Sequence, residues 1–181
     1  ANDYLLWEKI FSQSLERLRV EVLDAFLVHN ASDLRKNGSG YLYEWLLGLQ
    51  ERKLVRRIGV SIYERSDLDY VPLDLIKLVQ LPLSLYDQRL LNDGTIAYLR
   101  DNGCAIHARS IYLQGLLLSP SSSWPNWVEL STRVHHERLE TFSNVRDSSL
   151  LDCALGFAKL QQDLEAVVVG ISSRTELIQL M

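Results

Sequence analysis

The stretch LDAFLVHNASDLRKNGSG, Leu23 to Gly40, decides between the two parallel folds open to this chain. Val22 to Val28 is an apolar run broken only by Asp24, and it reads as a strand buried on both faces. A doubly wound dinucleotide-binding sheet would place a G-x-G-x-x-G turn directly after such a strand. Here Val28 leads into HNASDLRKNGSG, whose glycines, Gly38 and Gly40, come far too late. The run stops instead on an imidazole and an amide, His29 and Asn30. Either His29 is a polar cap on a strand end, or it is a working residue.

Outward from this strand, helix and strand patterns alternate. Tyr4–Arg19 carries Leu5, Leu6, Ile10, Phe11, Leu15 and Leu18 at helical spacing. After the polar loop, Tyr41–Arg52 places Leu42, Trp45, Leu46 and Leu49 on one helical face. Val55–Ile62 is a second strand, followed by a polar segment in which Ser66 suits an N-cap. Leu78–Leu83 is a third strand, Asn92–Asn102 a helix closing at Gly103, and Cys104–Tyr112 a fourth strand. Pro120–Asn126 is a loop. Val134–Arg146 and Ser149–Gln162 are helices, Val167–Ser172 is the fifth strand, and Ser173 begins a helix running to Met181. Such alternation implies a parallel sheet with helical crossovers. A (β/α)8 barrel takes about 250 residues, whereas this chain has 181. The expectation is one domain over 1–181, an incomplete barrel with two unpaired sheet edges through which copies of the chain could associate.

Composition narrows the function. Net charge is -4, with a pI near 5.6, which leaves no basic footprint for nucleic acid and no polybasic membrane patch. No run of about 18 uncharged apolar residues occurs. Cys104 and Cys153 lack metal-ligand spacing and read as small core residues of a reduced, cytoplasmic protein. A Ser-His-Asp hydrolase would need G-x-S-x-G, and GVSIY is no such elbow.

Strand after strand finishes in a polar group. His29 and Asn30 end the first, Ser61 the second; Gln80 lies in the third; Arg109 and Ser110 end the fourth; Ser172 and Ser173 end the fifth. In a parallel barrel these ends share one mouth, where sites are built. A mouth with few ionisable groups suits a large polar cofactor that carries the chemistry itself.

The blocks LDAFLVHN, VRRIGVSIY, LVQLPLSLYDQRLL, HARSIYLQGLLL and AVVVGISSRTEL together resemble, in order and spacing, consecutive blocks of the aldo-keto reductases. The resemblance implies strands four to eight of a (β/α)8 barrel. It implies NADP(H) bound in extended form, and reduction of an aldehyde or ketone by hydride transfer. His29 matches the histidine that orients and polarises the substrate carbonyl. Ser61 and Gln80 match groups that hydrogen-bond the nicotinamide carboxamide. Ile62 departs from the usual asparagine beside that serine. Arg109 stands where many members have an aromatic on the nicotinamide, and a guanidinium can stack there too. Ser110, Leu113 and Gly115 fall in the loop along the pyrophosphate. Gly170, Ser172, Ser173 and Arg174 resemble the clamp on the adenosine 2'-phosphate. Glu176 and Leu180 depart from that clamp and leave NAD(H) open.

The family's tyrosine, aspartate and lysine belong to the first three strand units, which would precede Ala1. None of Tyr63, Tyr86 and Tyr112 stands in the matching motif. The expectation is therefore a reductase whose present chain is inactive alone, against the alternative of a non-catalytic fragment that binds NADP(H) or serves in assembly. Six further residues carry separate expectations. His135 and His136 point about 100° apart on a solvated helix and hold no metal. His107 is a hydrogen-bonded group lining the interior beneath Arg109, and Asp24 pairs with a backbone group or an arginine. Trp124 and Trp127 either line the mouth or pin their loop to the barrel.

Overall fold

The computed structural model describes residues 2–180; Ala1 and Met181 lie outside the described residues. Five parallel strands run in sequence order across one sheet: β1 (Leu23–Val28), β2 (Val55–Ser61), β3 (Ile76–Pro82), β4 (Ala105–Arg109) and β5 (Ala166–Val167). The sheet curves into a half-barrel, the C-terminal part of a (β/α)8 architecture. β1 and β5 are its two edges.

The outer face is the core. Ile58 and Val60 of β2, Ile76, Val79 and Leu81 of β3, and Ile106 of β4 are fully buried. Helix α2 (Ser39–Glu51) covers them with Trp45, Leu46 and Leu49. Helix α1 (Asn2–Leu18) joins through an aromatic knot: Phe11 stands edge-on to Phe26 of β1 at 5.6 Å, and Trp7 and Phe26 each lie 5.5 Å from Trp45. Such pairs add about 0.5–1.5 kcal/mol each beyond burial. Glu8, an acid within the apolar pattern of α1, accepts from the Trp45 indole at 2.6 Å and from Arg52 at 2.7 Å. The hydrogen bond from Arg52 holds its carboxyl below the usual range. The helix is less buried than its spacing suggests: Leu5, Leu6, Ile10 and Leu18 are exposed.

The helix ends share one device. Arg19, Lys53, Gly103 and Asp147 take positive φ just past α1, α2 and the later helices α4 (Thr95–Asp101) and α5 (Leu130–Val145). The next amide in each case reaches back five residues, as Leu54 does to Leu49 at 3.0 Å. Gly103 alone among them has no side chain to resist that conformation.

Several elements differ from the sequence reading. Asn92–Asn102 is two helices, α3 (Arg89–Asn92) and α4, because Gly94 breaks the run at φ 80. The loop after β1 contains a 3-10 turn, Ala31–Arg35, whose Ala31 and Leu34 are buried. Ser66 is not the cap of its segment; Glu64 is, in a reciprocal box with Asp67. Helix α6 (Leu150–Lys159) is capped by Ser149, boxed with Asp152. β4 stops at Arg109 because Ser110 turns to φ 61, and β5 keeps only two residues before the chain leaves the sheet. Cys104 is buried, while Cys153 is only half-buried. No helix among the described residues is long and apolar enough to cross a membrane.

Candidate functional site

The register of the strands builds the mouth. Ser61 of β2 pairs with Gln80 of β3, and Gln80 with His107 of β4, so three polar residues share one row. Ser61 is 4% exposed. Neither its hydroxyl nor the Gln80 amide makes a side-chain hydrogen bond among the described residues. Both are preformed groups without protein partners. Just above them, Arg109 reaches from β4 across the end of β3. Its guanidinium donates to the Ile62 carbonyl at 3.2 Å and lies 4.2 Å from the Tyr63 ring centroid. It is thereby held as a flat plate over the mouth.

Beside this plate, the turn leaving β4 is conformationally forced. Ser110, Leu113, Gln114 and Gly115 all have positive φ, three of them with side chains. Such backbone concentrates where loops hold ligands. The turn forms one wall of a cleft of about 520 Å³; the other is the chain from β5 into α7 (Arg174–Leu180). Ser110, Tyr112 and Gly115 face Gly170, Ser172 and Glu176 across it. The structure thus brings four expected cofactor residues, Ser110, Gly115, Gly170 and Ser172, into one cleft. Leu113, Ser173 and Arg174 belong to its walls without lining it, and Arg174 is exposed.

Three features of this cleft escape the sequence reading. The Tyr112 hydroxyl is buried in the cleft wall and is the one buried side-chain polar atom without a partner among the described residues. Burial raises its pKa. Gln179 adds an amide to the lining. The expected anion clamp at Ser172 and Ser173 already holds an anion of the protein's own: Glu176 accepts from the Ser172 amide at 2.6 Å and from its hydroxyl at 2.8 Å. The Ser173-x-x-Glu176 spacing of a capping box was the available signal. The Glu176 amide does reach Ser173 Oγ at 3.1 Å, but the carboxylate returns one residue earlier than the motif expects.

His29 lies apart from this cleft. It is exposed, makes no hydrogen bond among the described residues, and lines a second cleft of about 840 Å³ at the open edge of β1 with Trp7, Phe11, Phe26, Tyr41 and Trp45. Below the mouth, the inner face carries a charged network. Arg57 donates to Asp24 and, at 2.9 Å, to Glu165; His107 meets the same carboxylate at 3.1 Å. The hydrogen bond from Arg57, followed by that from His107, holds the Glu165 carboxyl down to about 2. His107 and Asp24 therefore have the structural partners their positions suggested.

The expectation for His136 fails. It is fully buried on α5, joins the Tyr86 hydroxyl at 2.7 Å and the Ser119 carbonyl at 3.0 Å, and stacks on Trp124 at 4.4 Å. Trp124 pins its loop, donating to the carbonyls of Leu116 and Ser119, whereas Trp127 is 79% exposed.

The sequence profile of the Aldo/keto reductase family matches residues 7–181. The chain belongs to that family. Family members are typically NAD(P)H-dependent oxidoreductases acting on carbonyl groups. A glycerol dehydrogenase from Gluconobacter oxydans superposes with a TM-score of 0.64 at 19% identity, over 96% of this chain and 61% of that one. The apo form of an aldo-keto reductase from Bacillus halodurans superposes at 0.73 and 19% identity, over 95% and 59%. Its holo form gives 0.72 and 19%, over 94% and 58%. At these identities the likeness shows the fold. The chain spans about three-fifths of the length of these neighbours. No curated protein sequence matches it.

Proposed function

We propose that the chain forms the nucleotide-binding half of an NAD(P)H-dependent reductase that converts a small aldehyde or ketone to an alcohol. One observation carries this reading: Ser61 and Gln80, adjacent in register and without side-chain hydrogen bonds among the described residues, stand two residues below the row of Arg109, whose guanidinium is held against Ile62 and Tyr63. A hydroxyl and an amide side by side present donors and acceptors to a carboxamide. A guanidinium plate offers a face for a planar ring. The cleft on the other side of the β4 turn has the size for the remainder of a dinucleotide and a mostly apolar wall set with a few polar groups.

In this reading Ser61 and Gln80 fix the orientation of the nicotinamide ring, and Arg109 covers it. The Ser110–Gly115 turn and the Gly170–Ser172 segment hold the phosphates and ribose. The bound cofactor supplies the hydride. His29, at the end of β1, donates a hydrogen bond to the substrate carbonyl and aligns it. Turnover belongs to a full barrel, and nucleotide binding is the property this chain can show by itself.

The test is binding of NADH and NADPH to the chain, followed by tryptophan fluorescence and calorimetry. Saturable one-to-one binding is expected, weakened about tenfold or more in Gln80→Ala and Ser61→Ala, since each leaves an amide partner unpaired. Binding unchanged in both variants would remove the nicotinamide assignment, and no binding would remove the function.

A further inference from the structure

We infer that Glu176 makes the cleft selective for a dinucleotide with an unphosphorylated adenosine ribose, so that NADH is preferred to NADPH. The inference rests on the nucleotide reading of the cleft given above. It goes further because it assigns one carboxylate the choice between two cofactors.

The geometry begins with what Glu176 already holds. Its Oε2 accepts from the Ser172 amide at 2.6 Å and from the Ser172 hydroxyl at 3.0 Å; its Oε1 accepts from that hydroxyl at 2.8 Å. The Ser172 amide and hydroxyl, two donors that could receive a phosphate, are therefore satisfied by a group that cannot leave the chain. An ionised carboxylate offers about four acceptor positions. Two donors, the Ser172 amide and its hydroxyl shared between both oxygens, occupy part of that capacity, which leaves room for an incoming hydroxyl. Ser172 Oγ also keeps its lone pairs.

The charge balance points the same way. Glu176 lines the cleft, and no lysine or arginine does. The remaining polar side chains there, Ser110, Tyr112, Gln114, Ser172 and Gln179, are neutral. Hydrogen bonds from Ser172 hold the Glu176 carboxyl below its ordinary range, so it is ionised at neutral pH. A 2'-phosphate brings between one and two further negative charges at that pH, by analogy with other phosphomonoesters. Placed here it would face a carboxylate with no cation between them. A ribose diol would instead donate to that carboxylate. Acidic residues read a ribose 2'-hydroxyl in other dinucleotide sites in this manner, while arginine serves the phosphate. Arg174, the nearest cation in sequence, is exposed, does not line the cleft and makes no hydrogen bond or ion pair among the described residues.

The deciding experiment compares dissociation constants of NADH and NADPH on the unmodified chain and on Glu176→Gln, by calorimetry, with 5'-AMP and 2',5'-ADP as the minimal pair lacking nicotinamide. The unmodified chain should bind NADH and 5'-AMP at least tenfold more tightly than their 2'-phosphorylated counterparts. Glu176→Gln, which keeps the size and loses the charge, should bring the ratio within about threefold, chiefly by tightening the phosphorylated ligands. Glu176 is exposed, so the variant should fold, which circular dichroism checks. Equal or tighter binding of NADPH by the unmodified chain would overturn the inference and leave the nucleotide reading standing. A ratio unmoved by Glu176→Gln would overturn it likewise. Absence of binding by all four ligands would overturn both.

Discussion

Arg57 and Glu165 lie 108 residues apart in sequence and meet at 2.9 Å. Arg57 is on β2 and Glu165 immediately precedes β5, so the pair crosses β3 and β4. On a curved sheet only the concave face brings those strands close enough. The contact is thus a chord across the half-barrel, with Asp24 and His107 attached to its ends.

The chord should carry measurable stability. Arg57 is 24% exposed and bridges two carboxylates, which suits replacement by methionine as a test. Loss of about 2 kcal/mol is expected, the scale of hydrogen bonds to charged groups. Urea unfolding of Arg57→Met and of Glu165→Gln, with the double variant, measures the coupling.

The same pair fixes an acid response. Glu165 is held at about 2, below its ordinary 4.5. A depressed carboxyl stabilises the fold above its unfolded pKa, and that contribution is lost as pH falls through the folded one. The unfolding midpoint should therefore decline between about pH 5 and 2, and Glu165→Gln should flatten that decline. Glu165 is 46% exposed, so screening reduces the effect and salt should weaken it.

Gly59 has no room for a side chain. A Cβ there would stand 2.8 Å from the Leu78 carbonyl oxygen and 2.9 Å from Leu27 Cγ. The first neighbour is backbone of a central strand and cannot yield. Gly59→Ala should lose about 1–3 kcal/mol, read as a lower midpoint in denaturant.

His136 should be worth more than a surface histidine. His136→Ala leaves the Tyr86 hydroxyl without its partner, removes one of the two side-chain contacts of the Ser119 carbonyl and opens a gap beside Trp124. A loss of about 2–4 kcal/mol is expected. Amide exchange should rise across Ser119–Val128, while α1 and β1 stay protected.

His29→Ala should do the opposite. The residue is exposed and without hydrogen bonds, so stability should stay within about 0.5 kcal/mol and nucleotide affinity should be retained. In a full barrel the variant should lose carbonyl turnover. A folding defect would show that the imidazole is a structural cap.

The sheet was legible because its strands announce themselves. Val55–Ile62 and Leu78–Leu83 each carry an apolar stripe at strand spacing, Ile58, Val60 and Ile62 in one and Val79, Leu81 and Leu83 in the other, and each matches the structure within two residues. The polar groups at the strand ends were legible because each apolar run stops on one. What the sequence hid was decided by contacts distant along the chain. His136 reads as solvated beside His135 until Tyr86, fifty residues earlier, supplies its partner. The fifth strand reads as six residues from its valines, yet only two find partners on β4. Glu176 reads as a poor match to a phosphate clamp; its role depends on a carboxylate folding back four residues, which periodicity does not encode.

The shortness of β5 has a mechanical consequence. The wall that carries Gly170 and Ser172 is joined to the sheet by two register pairs, and its other moorings include the salt link of Glu165 to Arg57 and its hydrogen bond with His107. A ladder of backbone bonds is indifferent to ions in solution, but partly exposed salt links are not. Ionic strength therefore acts on this wall as a tensioner, slackening one jaw of the cleft while the opposite jaw, built on β4, holds its shape.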